Sequence, residues 1–358
     1  MIESEASIKA KVRADLPPEA FARKPLWSLL VIPLTGLIIA GSVALAIIPL
    51  PAYVAIPASV LLGLLYGSLT FLGHEIAHGV SIGPGRLRTA ITYLSFAIYC
   101  ISPHLWLVWH NQAHHAHTNV EGRDPDNFGT LEEFRRGALW CRLMVKCLPG
   151  FSHSHSLSAI YLCLFFTLQG QGMLWSKSRR LPDFRALRRR RAILDTALLV
   201  AFWIGIGVLA GPSGALLIVV IPMFIANIVV SSYILTTHML CPMTASPDTL
   251  ATTMSVRTHR IIDVLQFHFS HHVEHHLFPA MCSRYYPLVR QSLRRHLGDR
   301  YLAPPHWQAL LSIVRTPRVY DGFQVLIDPF TGRRIQIDDV LAALCRADVP
   351  EAEVKPQL

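Results

Sequence analysis

The residues of this chain that could do chemistry are histidines, and most of them fall in three clusters. The densest is His268-Phe269-Ser270-His271-His272-Val273-Glu274-His275-His276-Leu277-Phe278-Pro279. The others are His74-Glu75-Ile76-Ala77-His78 and His110-Asn111-Gln112-Ala113-His114-His115-Ala116-His117. Read as helices, they pair imidazoles at i,i+4: His74 with His78, His110 with His114, His268 with His272, His271 with His275, and His272 with His276. On such a helix His117 shares a face with His110 and His114, and His115 sits a ~100° step from His114. An apolar core has no use for these pairs, because an unpartnered buried polar group costs roughly 1–3 kcal/mol. Imidazole is the commonest metal ligand, so the spacing predicts a metal centre.

The number of imidazoles narrows the chemistry. His74, His78, His110, His114, His115, His272, His275 and His276 are the candidate ligands within the clusters, and His238, at the end of a long apolar run, is a further one. One transition-metal ion takes about six ligands in octahedral geometry, so two ions are expected. A donor set of imidazole without thiolate suits iron, copper or zinc. His74-Glu-x-x-His78 alone also fits a zinc metalloprotease, but that site uses one ion and leaves two clusters unexplained. A carboxylate-bridged di-iron bundle would need several inward glutamates. Only Glu75 and Glu274 lie inside the clusters, and both are expected to orient a ligand histidine through its other nitrogen. His117, His268 and His271 are extra imidazoles beside the clusters, either ligands or neighbours. His104, His153, His155 and His259 read as ordinary.

The elements that carry these clusters are apolar. Of 358 residues, 52% are hydrophobic and 16% charged, and the mean hydropathy is +0.37, which fits an integral membrane protein. The net charge of +10 then reads as topology, since basic residues stay on the cytoplasmic side. No nucleic-acid-binding fold is visible. The 7 cysteines are scattered without a Cys-x-x-Cys, which argues against a disulfide framework or a thiolate zinc site. No cleavable signal peptide is expected, because the first apolar run starts after a polar segment and is too long for one.

Residues 26–49 and 52–73 are uncharged and long enough to cross a bilayer, with Pro49 and Pro51 turning the chain between them. Residues 192–210 and 215–237 form a second hairpin around Gly211-Pro212-Ser213-Gly214. Segment 1–25, the run from Lys177 to Arg191 and the C-terminal third are basic. All three flanks are therefore expected in the cytoplasm, with His74, His78 and His238 at the same side. A joint centre requires that 89–108 and 156–175 lie along the interface rather than cross. A six-span chain is the alternative, and it would separate the clusters. The expected fold is all-α and integral to the membrane: four transmembrane helices in two hairpins, under a cytoplasmic His-rich cap with interfacial helices. Segment 1–25 is the cytoplasmic N-terminus, 26–300 the membrane domain and 301–358 a cytoplasmic tail.

At this point the chain resembles a known family, the membrane fatty acid desaturases. His74-Glu75-Ile76-Ala77-His78 resembles that family's first histidine box, and His110-x3-His114-His115 its second. His272-Val273-Glu274-His275-His276-Leu277-Phe278-Pro279 resembles the third, although His272 stands where the family often has Gln. Asp124-Pro125-Asp126 is also similar, and the likeness spans roughly residues 26–300. It implies two iron ions, O₂ as oxidant, and a fatty acyl substrate linked to lipid, CoA or carrier protein. It also implies electrons from a separate donor of ferredoxin or cytochrome b5 type, and metal ligation by the eight box histidines and by His238. The location implied is the inner membrane, multi-pass, with the active site facing the cytoplasm. Hydroxylation or ketolation of an alkyl chain or carotenoid is the alternative on the same site. A His-rich metal carrier would need polar residues along the spans, which offer only Asp195. Trp106 and Trp109 are expected as interfacial anchors, or else as lining for an acyl groove. Asp124, Asp126 and Asn127 are expected to cap the ligand helix.

Overall fold

The computed structural model describes residues 3–137, 142, 145–150 and 155–346. The expectations for His153, for the side chain of His155 and for residues 347–358 lie outside the described residues. The described chain is mostly helical. Pro25–Ile47, Ala52–Ala77 and Arg189–His238 are long and apolar enough to cross a membrane. Their outer surfaces are apolar: Leu26, Ile32, Ile39, Ile47, Ile204 and Leu209 are all more than half exposed. A continuous surface of that kind is stable against hydrocarbon and not against water.

The stretch Arg189–His238 is two helices, broken at Gly211 (φ 70°). A straight helix of that length would reach roughly 75 Å, more than twice a bilayer's hydrocarbon core. Instead both halves return to one place. Trp203 Nε1 donates to Ala97 O at 2.6 Å, and the Tyr99 hydroxyl donates to Ala226 O at 3.4 Å. The turn is therefore tighter than the four residues expected, because Gly211 alone takes the left-handed conformation and Pro212 already starts the next helix. At the same end of the molecule, Ser59 near the Pro51 turn donates to Leu217 O.

Small residues let the helices approach. A Cβ on Gly63 would stand 2.5 Å from Ile225 Cβ, and one on Gly67 3.0 Å from Val229 Cγ1. On Gly73 it would fall on the Ser95 side chain. Close backbone contact of this kind replaces the hydrophobic drive that lipid does not supply.

Arg86–Tyr99 and Pro103–His117 are joined at a bend of 100°. At 1.5 Å per residue neither arm spans the roughly 30 Å of hydrocarbon. Within the second arm, Leu107–His114 is a π-helix rather than an α-helix. The N-terminal helix Glu5–Asp15 buries Ile8 and Val12 with Val289 and Leu293 of the Tyr286–Leu297 helix.

The fold is not all-α. Val319–Tyr320, Val325–Ile327 and Arg334–Gln336 form a three-stranded antiparallel sheet in the order β1-β2-β3. Short β-branched and aromatic runs separated by Gly322 and Gly332, both at positive φ, favour tight antiparallel turns. The sheet is anchored to the helical body. The Tyr320 hydroxyl donates to Cys241 O at 2.8 Å, and buried Arg318 donates to Met239 O at 2.6 Å, one residue past His238.

Gly73→Ala places a methyl in the Ser95 contact, and overpacking of this kind costs about 1–3 kcal/mol. Thermal unfolding of the detergent-solubilised protein should show a clear drop in midpoint, whereas Gly36→Ala, with open space around it, should leave the midpoint close to wild type.

Candidate metal centre

The first cluster sits at the buried end of Ala52–Ala77, where His74 is helical and His78 forms the C-cap. The second lies on the π-turn. One π-turn closes over five residues instead of four, which brings His110 and His115 onto one side: their Nε2 atoms are 3.2 Å apart. The straight α-helical reading, with His110, His114 and His117 on one face, holds for His110 and His114, whose rings stack at 5.2 Å, and is corrected for His115, which the extra residue per turn brings beside His110, and for His117, which pairs with Arg123. His238 ends the Ile221–His238 helix. His272, His275 and His276 lie on the short helix His272–Leu277.

Five ring nitrogens, from His74, His78, His110, His115 and His275, lie within 4.8 Å of one another. Those of His114, His238 and His276 form a second such group, and His272 Nε2 joins it at 2.7 Å from His238 Nε2. In the first group the Nε2 contacts are 2.9 Å for His74 with His110 and 3.1 Å for His115 with His275. Two nitrogens about 2.1 Å from one ion, at right angles to each other, stand about 3.0 Å apart. The spacing is that of ligands around an ion.

The tautomers agree with this. The Nδ1–H of His114 donates to Asp124 Oδ1 at 3.0 Å, with Asp126 Oδ2 at 3.1 Å. That of His275 points to the Tyr286 hydroxyl at 3.1 Å, and that of His276 to Thr118 Oγ1 at 3.3 Å. In its neutral form, with Nδ1 bonded in this way, each of these rings carries its lone pair on Nε2, directed inward. His78 Nε2, His114 Nε2 and His276 Nε2 are buried and have no hydrogen-bond partner. Orphaned nitrogens in both groups fit bound cations. Burial also holds the imidazoles of His272, His275 and His276 far below their usual pKa, which keeps them neutral and able to ligate.

Glu75 and Glu274 do not orient histidines, contrary to expectation. Glu75 Oε2 accepts from Trp27 Nε1 at 3.0 Å and from the Ser283 backbone at 3.4 Å. Glu274 accepts from Ser255 Oγ at 2.6 Å, from Arg290 Nε at 3.2 Å and from the Tyr301 hydroxyl. One residue along a helix is a turn of ~100°, so each carboxylate faces away from its neighbouring imidazole. The carboxylates that hold a histidine are Asp124 and Asp126. Asp124 Oδ2 also accepts from Asn119 N at 2.7 Å, which ends the ligand helix, and Lys177 Nζ donates to Asn127 O at 2.8 Å to clamp the same turn. Asn127 Oδ1 accepts from Gly129 N at 3.1 Å.

His117, His268 and His271 lie outside both groups. His117 Nε2 is 2.7 Å from Arg123 Nη2. His268 and His271 are not on the helix with His272. Phe267 and His268 both have φ 52°, and His268 Nδ1 is 2.9 Å from Asp263 Oδ2. His104 packs on Tyr93, and His259 caps the helix that begins at Arg260.

A narrow cavity touches both groups through His74, His110, His114, His238 and His272. Its walls are otherwise largely apolar, with Phe71, Trp106, Trp109, Phe166, Ile234 and Phe269 among them. Trp106 and Trp109 are 2% and 1% exposed, so they are cavity wall and not interfacial anchors. Trp106 stacks on the His110 ring at 4.6 Å, and Trp109 Nε1 donates to Asp126.

Fold and site together define a helical membrane protein with a histidine-lined centre able to bind metal beside an apolar cavity. The chain belongs to the fatty acid desaturase family, whose model matches residues 51–308 and so takes in all nine converging histidines. Membership makes the protein an oxidoreductase of lipid metabolism, and its two histidine groups are compatible with the di-iron centre general to that family. No curated protein matches the chain.

Asp124→Asn leaves the shape of the turn but removes the charge that holds His114. Loss of such a partner typically weakens metal binding 10–100-fold. Metal retention against a chelator series should fall by about that factor, while Asn127→Asp, which does not touch an imidazole, should retain metal like wild type.

Proposed function

We propose that this protein desaturates a fatty acyl chain, using O₂ and two irons held by nine histidines. His74, His78, His110, His115 and His275 would hold one ion, and His114, His238, His272 and His276 the other. The observation that carries the reading is the split of these imidazoles into two adjoining groups that share one apolar cavity. Bound iron would supply the O₂ activation and oxidising power needed at an unactivated C–H bond. The reaction takes –CH₂–CH₂–, O₂, two electrons and two protons to –CH=CH– and two waters. The electrons come from a separate donor of ferredoxin or cytochrome b5 type.

The chain's own residues position the substrate and exclude water. Phe71 and Phe269 stack at 4.3 Å and form one wall, and Phe96 and Trp106 stack at 4.7 Å in another. An acyl chain between such walls loses little by leaving the bilayer and is held extended beside both imidazole groups. Restraint of the chain favours loss of the second hydrogen over hydroxyl transfer, and the Leu277-Phe278-Pro279 tail supports the same outcome. Four spans in two hairpins, with the basic flanks and the histidine end in the cytoplasm, suit the positive-inside rule. The arms around the 100° bend, and 156–175, would then lie at the interface, under a cap formed by the C-terminal third.

Purified protein should contain about two irons per chain, as one octahedral ion cannot use nine imidazoles. One zinc and no iron would sink the reading. His115→Ala and His276→Ala should each abolish product, followed by mass spectrometry of lipids from a host with a simple fatty acid profile. A hydroxylated product in place of a new double bond would move the assignment to hydroxylase. A tag in the Ser213 turn should label from outside the cell, and cytoplasmic labelling would overturn the topology.

A further inference from the structure

The strained loop ahead of the third cluster carries a second kind of donor set. Asp263, His268 and His271 place one ligand atom each within 4.8 Å of one another, and none of the nine histidines takes part. Asp263 Oδ2 is 2.9 Å from His268 Nδ1 and 3.7 Å from His271 Nδ1. Ligands about 2.1 Å from a common ion stand about 3.0 Å apart at a right angle and about 3.6 Å apart at 120°. Asp263 Oδ1 is taken up by Ser270 Oγ and by Thr258 Oγ1 at 3.4 Å, so Oδ2 is the oxygen left to the imidazoles. Ser270 Oγ also stands 3.0 Å from His271 Nδ1.

Two further features suit an ion here. Phe267 and His268 are successive non-glycine residues at φ 52°, a left-handed conformation that needs outside support. The three side chains are 14%, 18% and 5% exposed, so water can reach the group and complete the coordination.

The geometry points to a third metal site, for one exchangeable divalent ion of the zinc class, held by Asp263 Oδ2, His268 Nδ1 and His271 Nδ1. Its mixed carboxylate–imidazole donors differ from the all-imidazole centre and suit zinc or cobalt as well as ferrous iron. The ion would brace the Phe267–His271 loop. That loop carries Phe269 into the cavity wall and delivers His272 to the main centre. The inference does not depend on which metal fills the nine-histidine centre, because the ligands are separate.

Iron-loaded protein in detergent, equilibrated with buffered micromolar Zn²⁺ or Co²⁺, tests it by metal analysis of each element. Wild type should take up one zinc or cobalt beyond the metal of the main centre. Asp263→Asn and His268→Gln should each lose that one equivalent and keep their iron. His268 is partly exposed, so its variant carries the test if the Asp263 variant does not fold. Absence of the extra equivalent in wild type overturns the site, as does zinc that only displaces iron mole for mole. Its retention in His268→Gln also overturns it, and would leave the cluster as a hydrogen-bond network.

Discussion

Nine imidazoles are gathered at the helix ends in two adjoining groups, and accommodating them together governs the rest of the structure. An imidazole aimed at nothing is a buried polar group without a partner, which is expensive. The protein meets the requirement by giving outward nitrogens acceptors where it can, as at His114, His275 and His276. It then fixes the elements that carry the rings. Four elements contribute: two helix ends, the bent arm with its π-turn, and one short helix in the cap.

The ties between those elements are polar and buried. Asn119 Nδ2 donates to His238 O at 2.9 Å, so the end of the second cluster holds the end of the Ile221–His238 helix. Glu75 joins the first cluster to Trp27 and to the Ser283 backbone beyond the third cluster. Glu274 binds the third cluster to Ser255, Arg290 and Tyr301. The acidic residues inside the clusters therefore join segments to one another, and the acidic residues outside them, Asp124 and Asp126, hold a ring. In a low-dielectric interior a carboxylate with both oxygens bonded, as in Glu274, makes a strong and specific tie.

The π-turn decides how the centre divides. With α-helical spacing, His110 and His114 would share a face and His115 would be turned away. The extra residue in the turn brings His115 to His110 as well, while His114 stacks on His110 and also meets His238. Trp106 stacks on one face of His110, His114 stacks on that ring at 5.2 Å, and Asp124 and Asp126 grip His114. A local backbone irregularity of this kind is common at functional sites.

The sequence by itself determined the inventory. The apolar runs, the turn prolines and Gly211 announce the hairpins, since bilayer thickness and helix rise leave few other solutions. The identities of the converging histidines were also readable, because residue type and helical spacing are local properties. What only the tertiary structure decided was pairing across distance. The five-and-four division, the role of Asp124 and Asp126, and the burial of Trp106 and Trp109 depend on which segments meet. So do the exclusion of His117, His268 and His271 and the small sheet after Arg318. The third cluster shows why: its spacing fits one continuous helix, yet Asp263 captures His268 and Ser270 and starts the helix only at His272. Periodicity describes what a segment can do alone, and a competing partner elsewhere in the chain settles what it does.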